Sequence, residues 1–139
     1  MTSLAAFSEA RFAPASHREE EYRSRVRRGR SAMRGHSAVI CGLARDIAEV
    51  LPRTMARTEH LGNMFRDYRV VLYENDSQDA TREILLDWQK ANRRVTILAE
   101  DRRDPVNPAA RCLDRAGRMA YYRNRCREFV GSHLPHFDY

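Results

Sequence analysis

Three short apolar segments constrain the fold more than any other feature of this sequence. They are SAVICGLA at 37–44, RVVLYE at 69–74 and RRVTILAE at 93–100, and each contains β-branched residues. Runs of this length, bounded by polar turn residues, are typical of buried strands. The last residues, HFDY at 136–139, predict the start of a fourth strand.

The segments between the strands carry apolar residues at helical spacing. The first of these helical segments, 44–65, contains Pro52, which predicts a kink or a break. The next helix is expected to begin at Asp79, with Thr81 as an alternative cap. The last covers 114–134. The predicted order is β-α-β-α-β-loop-α-β, which favours an α/β fold, a Rossmann-like, mainly parallel sheet flanked by helices.

The chain of 139 residues is long enough for one domain with a core of its own. Residues 1–36 lack a core pattern, and we interpret them as a basic leader, partly disordered or helical, with a charged helix near 17–30. Residues 37–139 are predicted to form the α/β unit.

The net charge is +6, and Lys90 is the only lysine, so the cations are almost all arginine. The densest basic run, 23–30, follows three glutamates at 19–21 and therefore indicates a mixed segment rather than a basic tail. Nucleic-acid binding is not expected from this pattern.

No apolar stretch reaches the length of a membrane span, and the N-terminus lacks the pattern of a secretory signal. The three cysteines have no metal-binding spacing and suit a reducing, cytoplasmic location. Cys41 lies in an apolar run, and we expect it to be a core residue.

Polar residues follow each predicted strand. Because right-handed crossovers bring the carboxyl ends of parallel strands to one edge, Gly42–Arg45, Glu74–Asp79 and Glu100–Arg103 should meet there. Gly42 permits close approach of a ligand, or simply makes a tight turn. Glu74 ends an apolar strand and needs a partner, which favours a ligand role, whereas Asp79 is better explained as a helix cap.

Arginines crowd the last predicted helix and the residues just before it. Arg118 and Arg125 are seven residues apart and share a face, which suits a pyrophosphate group, although a solvated basic face is the alternative. Asn124 lies between two of the arginines. The set comprises Arg111, Arg115, Arg118, Arg123 and Arg125.

Two of these motifs resemble those of one enzyme family. ENDSQDAT at 74–81 resembles the acidic turn after the second strand of GT-A fold, family-2-like glycosyltransferases. RMAYYRN at 118–124 is similar to an R-x-A-x-x-R-N stretch of that family, and HFDY to the start of its metal-binding strand. The combination further resembles the branch of fungal capsule-associated mannosyltransferases and their bacterial relatives.

The resemblance implies that the chain binds a nucleotide-diphosphate sugar. The base would lie against backbone and apolar groups after the first strand. An acid after the second strand would hold the base or ribose, an arginine would meet the diphosphate, and an asparagine would fix the helix or the sugar. The residues implied are Gly42, Leu43, Ala44, Glu74, Asp76, Arg118 and Asn124.

The sequence departs from the family at its end. The family's D-x-D motif, which binds Mn²⁺ or Mg²⁺, would follow Tyr139, so these ligands and the acceptor-binding half are missing. We expect the donor-binding half of a glycosyltransferase, inactive alone. The resemblance implies that the complete enzyme would transfer a hexosyl unit to a glycan or other acceptor in surface polysaccharide synthesis. A separately encoded C-terminal half, or self-association through an open sheet edge, would complete it.

Two other functions fit the same residues. One is a nucleotide-binding α/β module without transfer chemistry. The other is an arginine-rich module that binds nucleic acid or protein. Nucleotide binding that depends on Glu74 favours the glycosyltransferase half or the nucleotide-binding module. Binding of polyanions that depends steeply on salt and not on Glu74 favours the arginine-rich module.

Overall fold

A computed structural model describes residues 13–106 and 112–139 of the chain. A short 3-10 turn, Ser16–Arg18, precedes the regular elements. The elements are α1 (Glu19–Gly35), β1 (Ser37–Ala44), α2 (Leu51–Gly62), β2 (Asp67–Asn75), α3 (Thr81–Ala91), β3 (Val95–Glu100) and α4 (Leu113–His133). The order predicted from the sequence is confirmed as far as α4.

The three strands form one parallel sheet in the order β1-β2-β3. Ala44 at the end of β1 is in register with Glu74 on β2, and Glu74 is in register with Ala99 on β3. The strands therefore end together, with Glu74 between its two neighbours. This arrangement confirms the predicted α/β, Rossmann-like fold class.

Each face of the sheet has its own apolar cluster. The first cluster packs α2 and α3 against the sheet and includes Leu51, Leu85 and Trp88. The second packs α4 against the other face, where the ring of Tyr122 stacks on Tyr73 with 5.1 Å between centroids. Because β2 is central, its residues alternate between two buried faces, which explains its continuous apolar run.

Helix α2 begins later than the apolar pattern indicated. Ile47 and Val50 lie in a turn, where the N–H of Val50 donates to the carbonyl of Ile47 at 3.1 Å. The helix starts at Leu51 and Pro52 occupies its first turn, so of the predicted kink or break the structure shows a break just before Pro52. Proline is tolerated there because the first N–H groups of a helix have no partner within the helix.

The start of α3 also differs from the prediction. The helix begins at Thr81, and Ala80 rather than Asp79 precedes it. Asp79 nevertheless accepts the backbone N–H of Thr81 at 2.9 Å. The Asp79 carboxylate therefore accepts a backbone N–H of the first turn that has no partner within the helix, although Asp79 lies one residue before the cap position.

The free edge of β1 meets the last residues of the chain. The N–H of Val39 donates to the carbonyl of Tyr139 at 2.7 Å, and the N–H of Tyr139 donates to the carbonyl of Ser37 at 3.2 Å. This is the bonding of a parallel ladder. The predicted fourth strand is thus represented by a single backbone bridge, and 136–139 are otherwise a turn and irregular chain.

The expectation that Cys41 is a core residue was wrong. Cys41 is exposed because it lies on the edge strand, beyond the bridge to Tyr139, whereas Cys126 on α4 is buried. Burial raises the pKa of the Cys126 thiol to about 11.

The charged helix expected near 17–30 is observed as α1, which has no buried residue. Residues 1–12 of the predicted leader lie outside the described residues. Among the residues that the structure describes, no helix has the length and apolar character needed to cross a membrane.

Candidate functional site

The three connections that leave the carboxyl ends of the strands share an unusual backbone feature. Each contains one residue with positive φ, namely Asp46 at 52°, Asp76 at 55° and Arg103 at 57°. No other non-glycine residue between 13 and 106 or between 112 and 139 has this conformation. Such backbone costs on the order of 1–3 kcal/mol per residue and persists only where surrounding contacts hold it. We call the surface formed by these connections the carboxyl-edge site.

Glu74 is the most deeply buried acid of this site, with no exposed surface. One carboxylate oxygen accepts the N–H of Ser77 at 3.0 Å, and the other pairs with Nε of Arg82. Arg82 also donates to Asp101 at 2.6 Å and to the carbonyl of Glu100 at 2.9 Å. Glu74 therefore holds its own turn and, through Arg82, the connection after β3.

Asp76 binds the connection after β3 directly. Its carboxylate accepts the backbone N–H groups of Arg102 and Arg103, both at 2.9 Å, and of Asp104 at 3.0 Å. Burial alone would raise the pKa of Asp76, but these donors and the Asn75 amide outweigh it and lower the pKa to about 2. The carboxylate thus acts as a fixed anion in a nest of N–H groups.

The connections after β1 and β2 are joined by four hydrogen bonds in which a backbone N–H on one side meets a side chain on the other. Their lengths run from 2.7 to 3.2 Å. The pairs are Gln78 N–H to Asp46, Asp46 N–H to Ser77, Ile47 N–H to Thr81 and Ala48 N–H to Asp79. Asp79 therefore does more than cap α3, since it also orders the turn after β1.

Arg45 links the connections after β1 and β3. Its guanidinium donates to the carbonyls of Asp104 at 2.9 Å and Pro105 at 3.1 Å. Its Nε is buried and has no hydrogen-bond partner, and the nearest carboxylate, that of Asp46, lies at 3.8 Å. A buried donor without a partner is costly, so Arg45 is held with one unused hydrogen-bonding group.

Acids on β3 and in the connection after it anchor α4. Glu100 accepts the Tyr73 hydroxyl and Nε of Arg125, both at 2.8 Å, and Asp104 accepts the Tyr122 hydroxyl at 2.8 Å. Burial would raise the pKa of Glu100, but the Tyr73 and Arg125 bonds lower it overall. Burial and the same bond to Glu100 raise the pKa of Tyr73, so the phenol stays protonated.

A groove of about 490 Å³ lies beside the carboxyl half of β1, between that strand and α4. Two of the predicted base-binding residues, Gly42 and Leu43, line it. Ala44 does not, because it is buried in the apolar cluster on the opposite face. The wall formed by α4 and the rest of β1 comprises Cys41, Met119, Arg123 and Cys126.

The predicted residues on α4 lie on different sides of that helix. Arg118 is half-buried and lies one turn before Tyr122, on the side that faces the sheet. Asn124 is exposed, two positions and therefore about 200° around the helix from Tyr122. The structure does not bring Asn124 together with the acids of the carboxyl-edge site. Arg111 lies outside the described residues.

Sequence reasoning missed several residues that organise this site. Arg82 showed no local pattern, and nothing in the sequence marked the hydroxyl of Tyr122. Arg45 was predicted to lie at this edge as the end of Gly42–Arg45, but without a partner. The acid-amide turn at 74–79 did indicate that partners were needed. Which residues supply them depends on the register of three strands, which the sequence does not state.

The metal expected for the complete enzyme finds no matching ligands in the described part of the chain. Within 13–106 and 112–139 no group of three or more histidine, cysteine, aspartate or glutamate side chains is placed to hold an ion. No residue of the described part of the chain is therefore assigned to a metal.

The comparisons with known proteins identify no relative. No family model matches the chain, and the searches of curated proteins and of solved structures found no similar protein.

Proposed function

We propose that this chain binds a nucleotide-diphosphate sugar at the carboxyl-edge site and forms the donor-binding half of a GT-A type glycosyltransferase. The observation that carries the proposal is the strained backbone at Asp46, Asp76 and Arg103, one in each connection. Strain of this kind concentrates at binding and catalytic sites.

The position of the site supports the same proposal. In open parallel sheets, ligands bind outside the carboxyl ends of the strands. The groove along Gly42 and Leu43 offers an apolar surface for a base, and the guanidinium of Arg123 at its wall suits a diphosphate. Arg118 lies five residues, about one and a half turns, nearer the start of α4.

In this proposal Glu74 and Asp76 do not contact the ligand as the sequence led us to expect. Glu74 and Asp76 have their carboxylate oxygens engaged within the protein, so we assign them to positioning the connections around the ligand. Direct contact of Glu74 with a base or ribose would require Arg82 to be released. Asn124 would contact a ligand or acceptor only from the exposed side of α4.

In the complete enzyme, the donor half would present the sugar for transfer of a hexosyl unit to a glycan acceptor in the cytoplasm. Mn²⁺ or Mg²⁺ and the acceptor site would come from polypeptide that carries the D-x-D motif. The chemical reason is that the departing diphosphate concentrates negative charge, which cations must balance.

Calorimetric titration with UDP-hexoses and GDP-hexoses tests the proposal. We expect binding, and we expect Arg123→Gln to weaken it about tenfold or more, because one charge-assisted hydrogen bond contributes about 1.5–3 kcal/mol. The matched control is Arg127→Gln, which removes the same charge from an exposed position on the same helix. It should leave the affinity unchanged.

The outcomes separate the alternatives. Absence of binding to any nucleotide sugar by the folded wild-type protein would refute the proposal. Equal weakening in both variants would indicate general attraction of anions to a basic protein. Titration with single-stranded DNA at several salt concentrations tests the nucleic-acid module, whose affinity would fall steeply with salt and would not distinguish Arg123 from Arg127.

A further inference from the structure

A second concave surface lies at the opposite end of the strands. It is formed where α1 passes the end of α2 and the turn that leads into β2, and its volume is about 450 Å³. We call it the basal cleft. Its lining includes Arg30, Arg34, His60, Asn63, Phe65 and Arg66.

The backbone fixes α1 at this position. The N–H of Arg66 donates to the carbonyl of His36 at 2.9 Å and to that of Met33 at 3.3 Å. Residues at the end of α1 are thereby tied to the residue just before β2. The two walls of the cleft are therefore held together by the main chain as well as by side chains.

Three guanidinium groups surround the basal cleft. Arg30 and Arg34 are four residues apart and share a face of α1, and Arg66 comes from the turn before β2. Among the described residues, one acid pairs with any of these three arginines. It is Asp138, which lies 3.6 Å from Arg66. Asp138 also accepts the N–H of Ser37 at 2.7 Å, so its charge is shared.

The positive charge continues along α1 away from the cleft. Arg27 lies three residues before Arg30 and seven before Arg34, so the three form a stripe on one side of the helix. Arg27 forms no ion pair within the described residues. Like charges at such spacing repel one another, and an anion bound among them would relieve the repulsion.

We propose that the basal cleft binds a phosphate group. Arginine forks match phosphate oxygens bidentately, and the amide of Asn63 and the ring of His60 add hydrogen-bonding capacity beside them. The half-buried ring of Phe65 gives the cleft an apolar wall, which a plain solvated basic face does not have. The phosphate belongs to a free phosphorylated compound or to the headgroup of an anionic lipid.

This site is separate from the carboxyl-edge site. The eight residues of β1 lie between the two, and a strand of that length spans about 25 Å. No residue of the basal cleft contributes to the proposed nucleotide site. The two proposals therefore stand or fall independently.

The first arm of the test uses inorganic phosphate and ¹⁵N NMR in a low-salt buffer without other multivalent anions. We expect the amide signals of Arg34, Asn63 and Phe65 to shift with a saturable dependence on phosphate. In Arg30→Gln/Arg34→Gln the affinity should fall about tenfold or more. The control Arg53→Gln/Arg57→Gln removes the same charge from exposed positions of α2 that do not line the cleft, and should bind as the wild type does.

The second arm measures co-sedimentation with vesicles of phosphatidylcholine, with and without about a third phosphatidylglycerol. Binding only to the anionic vesicles, lost in Arg30→Gln/Arg34→Gln and kept in the control, identifies a lipid headgroup as the source. Localised NMR shifts without vesicle binding identify a free phosphate compound. Absence of both, or equal losses in the two double variants, would overturn the proposal.

Discussion

The buried ion pair between Glu74 and Arg82 gives the sharpest test of how the carboxyl-edge site is held together. Glu74 has no exposed surface, whereas the Arg82 side chain retains 30% of its exposure. Arg82 also has a second acid, Asp101, at 2.6 Å. The two partners therefore differ in what each loses when the other is removed.

The structure predicts unequal effects of the two single substitutions on the free energy of unfolding. Arg82→Met leaves a buried carboxylate with only the Ser77 N–H as a partner, and should destabilise the protein by about 3–5 kcal/mol. Glu74→Gln leaves an arginine that is still paired with Asp101 and partly solvated. Glu74→Gln should therefore lower the free energy of unfolding by about 1.5–3 kcal/mol, the contribution of one charge-assisted hydrogen bond.

Urea unfolding followed by circular dichroism and by the fluorescence of Trp88 measures these values. The double variant Glu74→Gln/Arg82→Met should be more stable than the sum of the single effects predicts, by about 1 kcal/mol or more, because no unpaired buried charge remains. Lys90→Met, which breaks an exposed pair with Asp87, is the control and should lie within experimental error of the wild type. Additive effects, or a larger cost for Glu74→Gln than for Arg82→Met, would refute the reasoning.

Two further predictions concern acid stability and close packing. Because hydrogen bonds lower the pKa of Asp76 to about 2, the carboxylate stabilises the fold above its unfolded pKa of about 4, and this contribution disappears as the pH falls towards 2. The urea midpoint of Asp76→Asn should therefore fall less between pH 5 and 2 than that of the wild type, and parallel curves would contradict this. A methyl group on Gly62 would lie 2.6 Å from Cε2 of the buried Tyr68 ring and closer to other ring carbons, so Gly62→Ala should cost about 1–3 kcal/mol in urea unfolding. Gly117→Ala, with no atom within 4 Å of its added methyl, should instead stabilise α4 by about 0.5–1 kcal/mol, and equal effects of the two would show that the contact is unimportant.

The strands were predictable because their signal is local. Each of the three sheet strands was predicted within two residues of its observed limits, because a run of β-branched residues is recognisable without information from distant parts of the chain. The fourth predicted strand, at 136–139, is not formed beyond one backbone bridge. The helix limits were less accurate. Ile47 and Val50 have helical spacing, yet the chain needs a turn there to leave β1 and return across the sheet, and Pro52 then suits the first turn of α2.

The candidate site was predictable in its position and less so in its contacts. Parallel topology alone brings the ends of all three strands to one edge, which places Glu74 and Asp76 correctly. The sequence favoured a ligand as the partner of Glu74, but the structure supplies Arg82, eight residues further along the chain. Cys41 shows the same limit, because its exposure depends on β1 lying at the edge of the sheet.

By itself, the sequence determined the succession of strands and helices and the presence of acids after the second strand. These depend on the spacing of apolar residues and on turn chemistry within a few positions. Only the tertiary structure decided that Arg82 neutralises Glu74, that Asp76 binds the connection after β3, and that Arg30, Arg34 and Arg66 surround one cleft. Glu74 and Arg82 are eight residues apart, whereas the other groups join residues distant in the chain. Strand register and helix packing, which act over the whole domain, decide which of them meet.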